Sequence, residues 1–467
     1  MTGAAFRHPA EVVVERIAAG GNGVGRWTDG RTMFLPRTAP GDRVLATPVE
    51  ERPRFLRGEV DRIIEPGPGR VPARCPHYEK DQCGGCQLQH LDLAAQEAAK
   101  RALVGEAVRR IGGIPIDDPP MVPAGAAWGY RNRIALDRGA CGFGFHRRKP
   151  AGEVFPLTQC PVADDLINLS WAVLVRGATV PDRARRVTLR KDDRDHVHVT
   201  ATLPPGCRWD GGGGEGGGEA ARAVAELERA GVAATLWVTE ARPGGGGGRR
   251  GPARWRARPA VRAAGTAGTA GGVAVETFEQ INPPMGDLAR REALALLGDV
   301  AGRRVWDLYA GTGRATRMLQ AAGARVSGVE IATGAAPFAP AAPAAPAAPV
   351  AGTGTVPRTA MAGVASPEGA AHSPVEWYAG AVERVVPTLD PAELVFTNPP
   401  RTGMAAVVTG AILAAAPERV VYQSCDPATL ARDLRRLAEA YTVVSVRAYD
   451  LFPQTAHVES VVLLERR

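Results

Sequence analysis

The stretch Arg304-Val305-Trp306-Asp307-Leu308-Tyr309-Ala310-Gly311-Thr312-Gly313 decides how the second half of this chain folds. It reads as a buried strand running into a glycine turn, with a helix over Ala315–Ala322 behind it. Arg325 to Val329 is then the next strand, ending at Glu330. Strand alternating with helix is the signature of a doubly wound sheet. A glycine turn lets the backbone approach a ligand, and an acidic end to the second strand, about twenty residues on, can hold two ribose hydroxyls. The turn has the form Asp-x-Tyr-Ala-Gly-x-Gly, not the three-glycine dinucleotide form. With no pyrophosphate to cradle, S-adenosylmethionine is the expected ligand.

The pattern extends on both sides. Phe278-Glu279-Gln280-Ile281-Asn282-Pro283-Pro284 leads into a helix from about Asp287 to Leu297. Glu393 to Thr397 is a strand whose C-terminal end carries Asn398-Pro399-Pro400-Arg401. Arg419 to Gln423 is the next strand, stopping at Ser424-Cys425, where a helix begins near Pro427. A thiol between a strand end and a helix N-terminus feels the positive end of the helix dipole, which favours thiolate. Free cysteines are more often small buried hydrophobes. Thr442–Tyr449 and Val458–Leu464 complete the sheet, with His457-Val458-Glu459 entering the last strand. Residues 332–372 are low-complexity Ala/Pro/Gly and are expected to be disordered.

Earlier in the chain, residues 8–64 show short strand candidates separated by tight turns such as Gly20-Gly21-Asn22-Gly23 and Pro40-Gly41-Asp42. This predicts a small β-barrel of the OB type, a common RNA platform. Arg16, Arg26, Arg31, Arg37 and Arg43 are candidates for its RNA face. Next comes Cys75, followed by Cys83-Gly84-Gly85-Cys86, and Cys160 lies in a second Cys-Pro context. Four thiolates suit a [4Fe–4S] cluster or structural zinc, and spacing alone does not choose between them. A helix is predicted from Leu93 to Ile111. Trp128 to Lys149 interleaves aromatics with arginines, a composition suited to phosphate contact and base stacking, or to a basic sheet surface. Glycine runs at 211–214, 216–218 and 244–248 read as flexible loops. The expected organisation is therefore a barrel over 1–66, a central α+β segment over 67–275 with the cysteine set, and a Rossmann-like α/β unit over 276–467.

Composition narrows the class. A chain of 467 residues with 45% hydrophobic content can bury sizeable cores, and a net charge of +8 is a modest hint of a polyanionic partner. Seven cysteines are too few for a disulfide scaffold. No apolar run of membrane-spanning length appears, so no membrane association and a cytoplasmic location are expected. Nothing calls for an obligate protein partner.

Taken together, these motifs resemble those of the RNA uracil-C5 methyltransferases, specifically the branch with an N-terminal TRAM domain and a [4Fe–4S] cluster that makes 5-methyluridine in 23S ribosomal RNA. The matching residues run nearly end to end: Cys75/Cys83/Cys86/Cys160, Phe278-x-Gln280-x-Asn282, Asp307-Leu308-Tyr309-x-Gly311-x-Gly313 and Gly328-Val329-Glu330. The most specific are Ser424-Cys425-Asp426-Pro427-Ala428-Thr429-Leu430-Ala431-Arg432-Asp433 and His457-Val458-Glu459-Ser460. The resemblance implies Cys425 as nucleophile and Glu459 as base. It implies Gln280, Tyr309, Glu330 and Asn398 around S-adenosylmethionine, and an iron–sulfur cluster on the four cysteines. Ribosomal RNA is the implied partner, with transfer RNA the alternative substrate. The chain departs from the family at Asn398, where aspartate is usual, at Ala381, where a polar residue is usual, and in 332–372, where a helix is usual. These departures support a second class of reading, an RNA-binding iron–sulfur protein with weak or lost methyl transfer. Asn398-Pro399-Pro400 also resembles the motif of exocyclic-amine methyltransferases, a reading that leaves Cys425 and Glu459 without a role.

Overall fold

A computed structural model describes residues 8–204, 218–240, 258–262, 280–331, 359–361 and 375–467. Three sheets organise them. The first is a closed barrel of five strands, Ala10–Ile17, Gly23–Arg26, Thr32–Leu35, Arg43–Glu51 and Phe55–Glu65. Its interior follows the two-residue period of a strand, Val12 and Val14 pointing in beside Met33, Leu35, Val44, Ala46 and Leu56. Three of the five candidate barrel arginines are held by carboxylates. Arg31 pairs with Asp29 and Glu51, Arg43 with Glu11 and Glu65, and Arg16 with Glu106. Arg37 instead lies over the Tyr78 ring at 3.9 Å. The second sheet is seven-stranded and includes Arg133–Gly139, Arg186–Lys191 and Val197–Leu203. Of the glycine runs, 211–214 and 244–248 lie outside the described residues.

The third sheet, nine-stranded among the described residues, carries the site. Its order is Thr359–Met361, Val375–Ala379, Arg325–Glu330, Arg304–Leu308, Leu394–Thr397, Arg419–Ser424, Glu459–Arg466, Tyr441–Tyr449, Met121–Val122. From Val375–Ala379 to Arg419–Ser424 the neighbours run parallel, and Glu459–Arg466 then enters antiparallel. Strand order reverses between Arg304–Leu308 and Leu394–Thr397, so their C-terminal ends open a crevice where such sheets take ligands. Both faces are covered. Trp306, Val420 and Tyr422 pack on one side with Leu430 and Leu434, while Val305, Phe396 and Val421 pack on the other with Met285 and Ala289. No helix among the described residues is long and apolar enough to cross a membrane.

Two features depart from the sequence expectation. Most of 332–372 lies outside the described residues, but Thr359–Met361 pairs antiparallel with Val375–Trp377, so three residues of a stretch expected to be disordered form an edge strand. The helix Leu93–Arg110 and the strand Met121–Val122 serve the third sheet although they come far earlier in the chain. Val104 and Val108 lie in its core, and Met121 and Val122 pair with Ala448 and Tyr449. This attachment is polar as well. Lys100 is fully buried and donates to Asp450 Oδ1 at 2.6 Å, and Gln96 exchanges hydrogen bonds with Gln454.

Candidate active site

Cys425 sits where the strand Arg419–Ser424 gives way to the helix Pro427–Leu437. Pro427 pre-sets the first helical turn, and Asp426 caps it by accepting from the Ala428 and Thr429 N–H groups at 3.1 and 2.9 Å. Leu430, Ala431, Leu434 and Leu437 form the buried stripe that holds the helix to the sheet. In the ladder with Glu459–Arg466, Ser424 faces Ser460 and Gln423 faces Val461. Cys425 follows in a bend just beyond the strand, near enough to Glu459 for that carboxylate to act on its thiol, while Gln423 and Glu459 share one face of the sheet.

The electrostatics correct one expectation. The helix dipole does not leave Cys425 as a thiolate. Burial pushes the thiol up to about 11, Glu459 and Asp426 push the same way, and Arg401 opposes them. Burial is the main reason; Asp426, whose carboxylate accepts from the helix N–H groups, adds a smaller contribution of the same sign. Glu459 is 1% exposed. Burial raises its carboxyl to about 7, partly offset by the Gln423 hydrogen bond and by Arg290. Gln423 Nε2 donates to Glu459 Oε1 at 2.9 Å, while Glu459 Oε2 has no partner.

Arg401 is held beside the thiol by a loop clamped to the following helix. Thr429 Oγ1 donates to the Arg401 carbonyl at 3.0 Å, and Arg432 donates to the Thr402 and Met404 carbonyls at 2.9 and 3.1 Å. Buried Asp433 accepts from Met404 N and the Tyr422 hydroxyl at 2.7 and 2.9 Å. The Arg401 guanidinium lies 3.5 Å from His457 Nε2. Burial first, and then Arg401, lower the His457 imidazole to about 4, so it is neutral at physiological pH. Sequence reading quoted Arg401 and His457 inside motifs without giving either a role. Their position in the Pro-Pro-Arg loop and two residues before Glu459 was the available signal.

Gln280, Tyr309 and Asn398 line one cavity of about 790 Å³ at the crevice, together with Asn282, Arg290, Asp307 and Gly311. Glu330 is not among the lining residues but is tied to one of them, its Oε2 accepting from Gly311 N at 2.8 Å. Tyr309 adopts φ 61°, a left-handed conformation costly for a bulky residue, which marks the turn as over-determined by its surroundings. Its hydroxyl donates to Glu383 at 3.3 Å. Asp307 is fully buried, accepts from Thr316 Oγ1 at 2.5 Å, and leaves Oδ1 without a partner. A ribose- and amine-bearing ligand suits this donor set, since the second strand's carboxylate, an unpartnered carboxylate oxygen and backbone N–H groups meet there.

Cys75, Cys83, Cys86 and Cys160 come together around a second cavity of about 310 Å³, which Arg401 and His457 also line. Cys83 N donates to the His77 carbonyl at 3.0 Å, Cys75 N to Gln89 Oε1 at 3.1 Å and Cys160 N to Asn168 Oδ1 at 2.8 Å. Burial pushes the thiols of Cys83 and Cys86 up to about 11 and about 12, and Cys160 raises both further. Among the described residues, no three His, Cys, Asp or Glu side chains group closely enough to hold a single metal ion. Cys141 is exposed, and Cys207 lies outside the described residues.

Comparison with known proteins agrees with this geometry. A family model described as tRNA (Uracil-5-)-methyltransferase matches residues 390–467, the segment that contains Asn398, Cys425 and Glu459. The chain is 32% identical to an uncharacterized RNA methyltransferase of Gloeobacter violaceus, over 97% of this chain and 96% of that protein. It is 29% identical to the 23S rRNA (uracil(1939)-C(5))-methyltransferase RlmD of Alkalilimnicola ehrlichii, over 98% and 97%. The fold matches the crystal structure of the Pyrococcus abyssi tRNA (uracil-54, C5)-methyltransferase in complex with S-adenosyl-L-homocysteine, with a TM-score of 0.65, 20% identity and coverage of 99% and 100%. The chain belongs to the RNA uracil-C5 methyltransferase family.

Proposed function

We propose that this chain methylates C5 of a uridine in RNA, with ribosomal RNA the expected substrate, through a covalent bond between Cys425 and C6 of the base. The observation that carries the reading is the pairing of Ser424 with Ser460, which brings the adjoining Cys425 and Glu459 within electrostatic reach of each other. C5 of uracil is too weak a nucleophile to take a methyl group unaided. Addition of the Cys425 sulfur to C6 converts the ring to an enolate whose electron pair is available at C5. S-adenosylmethionine supplies an electrophilic methyl group on a sulfonium centre. Glu459 then takes the remaining C5 hydrogen as a proton, the C5–H pair forms the C5=C6 bond, and the C6–S bond breaks with its pair returning to sulfur. Arg401 favours the thiolate at the start and at the end of this cycle. The base has to be extruded or already single-stranded to reach the half-buried thiol.

Gln280, Tyr309, Glu330, Asp307 and Asn398 are the residues we assign to S-adenosylmethionine, and Cys75, Cys83, Cys86 and Cys160 to a [4Fe–4S] cluster. Such a cluster supplies a rigid, redox-active crosslink between segments distant in sequence. The barrel is read as a TRAM-like RNA-binding module. Incubation with a 5-fluorouridine-containing ribosomal RNA fragment and S-adenosylmethionine tests the central claim, because fluorine cannot leave as a proton. A denaturation-resistant protein–RNA adduct is expected by mass spectrometry. An adduct surviving in Cys425→Ala would sink the nucleophile, and RNA binding with neither adduct nor methylation would favour a binding-only protein. Iron and sulfide analysis of anaerobically purified protein tests the cluster; stoichiometric zinc would count against it.

A further inference from the structure

Gln423 is fully buried, on a strand whose neighbouring positions Val420, Val421 and Tyr422 are packed in the sheet's two cores. Burying a primary amide is costly unless its hydrogen bonds are made. Here the side chain makes one, to Glu459 Oε1, and its own Oε1 has no partner. An apolar residue of the same length would fill the space without that cost. The bond it does make ties the strand that leads into Cys425 to Glu459: Gln423 lies two residues before Cys425 and diagonal to Glu459 across the ladder.

We propose that Gln423 is a positioning residue for the general base, holding one oxygen of Glu459 so that the other is left to take the C5 proton. This rests on the covalent mechanism above. A carboxylate with neither oxygen held turns about its terminal torsion, which is broad. The other groups bearing on Glu459 are Cys425 at the end of the neighbouring strand and Arg290 on the helix Pro283–Ala295; Tyr449 on the adjoining strand is its register partner, with its hydroxyl given to Glu292 at 2.6 Å. None of these holds Glu459 Oε1.

Because the base acts after methyl transfer, Gln423 serves only the second half of the cycle. The test is a single turnover of the full-length protein with methyl-labelled S-adenosylmethionine and a uridine-containing ribosomal RNA fragment, quenched into denaturant and resolved on a gel. In Gln423→Met, methyl transfer is expected within about twofold of wild type, while release of methylated RNA from the adduct slows by about tenfold or more. The pH at which release is half-maximal is expected to move up, because the lost hydrogen bond favoured the ionised carboxylate. Release at the wild-type rate, or transfer and release falling together, would overturn the proposal; the second pattern marks a merely structural role. If Gln423→Met does not fold, Gln423→Asn, polar but too short to reach, makes the same distinction. A wild-type protein that forms no adduct with 5-fluorouridine RNA overturns the proposed function and this inference with it. A wild-type adduct with normal release in both variants overturns the inference alone.

Discussion

Asp307 and Glu459 stand at the ends of two strands of one sheet and are built alike. Each is buried, with one oxygen held by an uncharged donor, Thr316 at 2.5 Å or Gln423 at 2.9 Å, and the other oxygen unpartnered. Burial raises them to about 6 and about 7, and Arg290 pulls both back. Their neighbours differ. Asp307 lines the larger cavity and feels the like charge of Glu330, whereas Glu459 acts on the Cys425 thiol at the end of the neighbouring strand. One electrostatic recipe therefore suits two tasks, holding a ligand in the first case and accepting a proton in the second. What decides the task is whether the unpartnered oxygen meets a cavity or a nucleophile.

Three measurements act on that contrast. The largest effect is expected from Glu459→Gln, which removes the base but leaves the cofactor cavity intact. Turnover is expected to fall by about a thousandfold, with methyl transfer retained once per enzyme and ordinary uridine RNA left bound to Cys425. Asp307→Asn is expected to do the reverse: affinity for S-adenosylhomocysteine, followed by calorimetry, falls by about tenfold, and the adduct that does form resolves normally. If both variants trapped the adduct, the two carboxylates would share one task and the contrast would collapse.

The smallest effect is on stability. Both folded-state values lie above the ordinary 4.5 of Glu459 and 3.8 of Asp307, so the fold holds these protons more tightly than the unfolded chain does. Stability is therefore lost as pH rises, between 4.5 and about 7 for Glu459 and between 3.8 and about 6 for Asp307. Each contributes on the order of 3 kcal/mol. Thermal melts at pH 8 should place Glu459→Gln and Asp307→Asn a few degrees above wild type, and at pH 4 the gap should close. Variants that melt below wild type at pH 8 would show that neither charge is costly.

Much of the third sheet was legible because its signals are local. The apolar runs Arg304–Leu308 and Arg419–Ser424, the glycine turn and Pro427 fall within a residue or two of where the strands and helices begin. Cys425 and Glu459 were found as motifs, and the register that joins them follows from strand pairing. Gln423 was not found, because an amide inside an apolar strand means nothing until its cross-strand neighbour is known. The ion pairs of the barrel arginines were hidden for a similar reason: carboxylates such as Glu51 for Arg31 and Glu65 for Arg43 are close in space but distant in sequence. The acidity of Cys425 could have been read more fully, since an aspartate at the cap position neutralises the dipole that its helix would otherwise supply.

The attachment of Leu93–Arg110 to the last loop of the chain also has a consequence in time. Gln96 and Gln454 are separated by 358 positions. At ribosomal speeds of roughly 5–20 residues per second, the helix emerges some tens of seconds before its partner exists. Throughout that interval Val104, Val108 and the ammonium of Lys100 have no burial site. Each newly made copy therefore passes through a period in which its early segment is complete yet undockable, when it is exposed to chaperones and to pairing with other nascent chains.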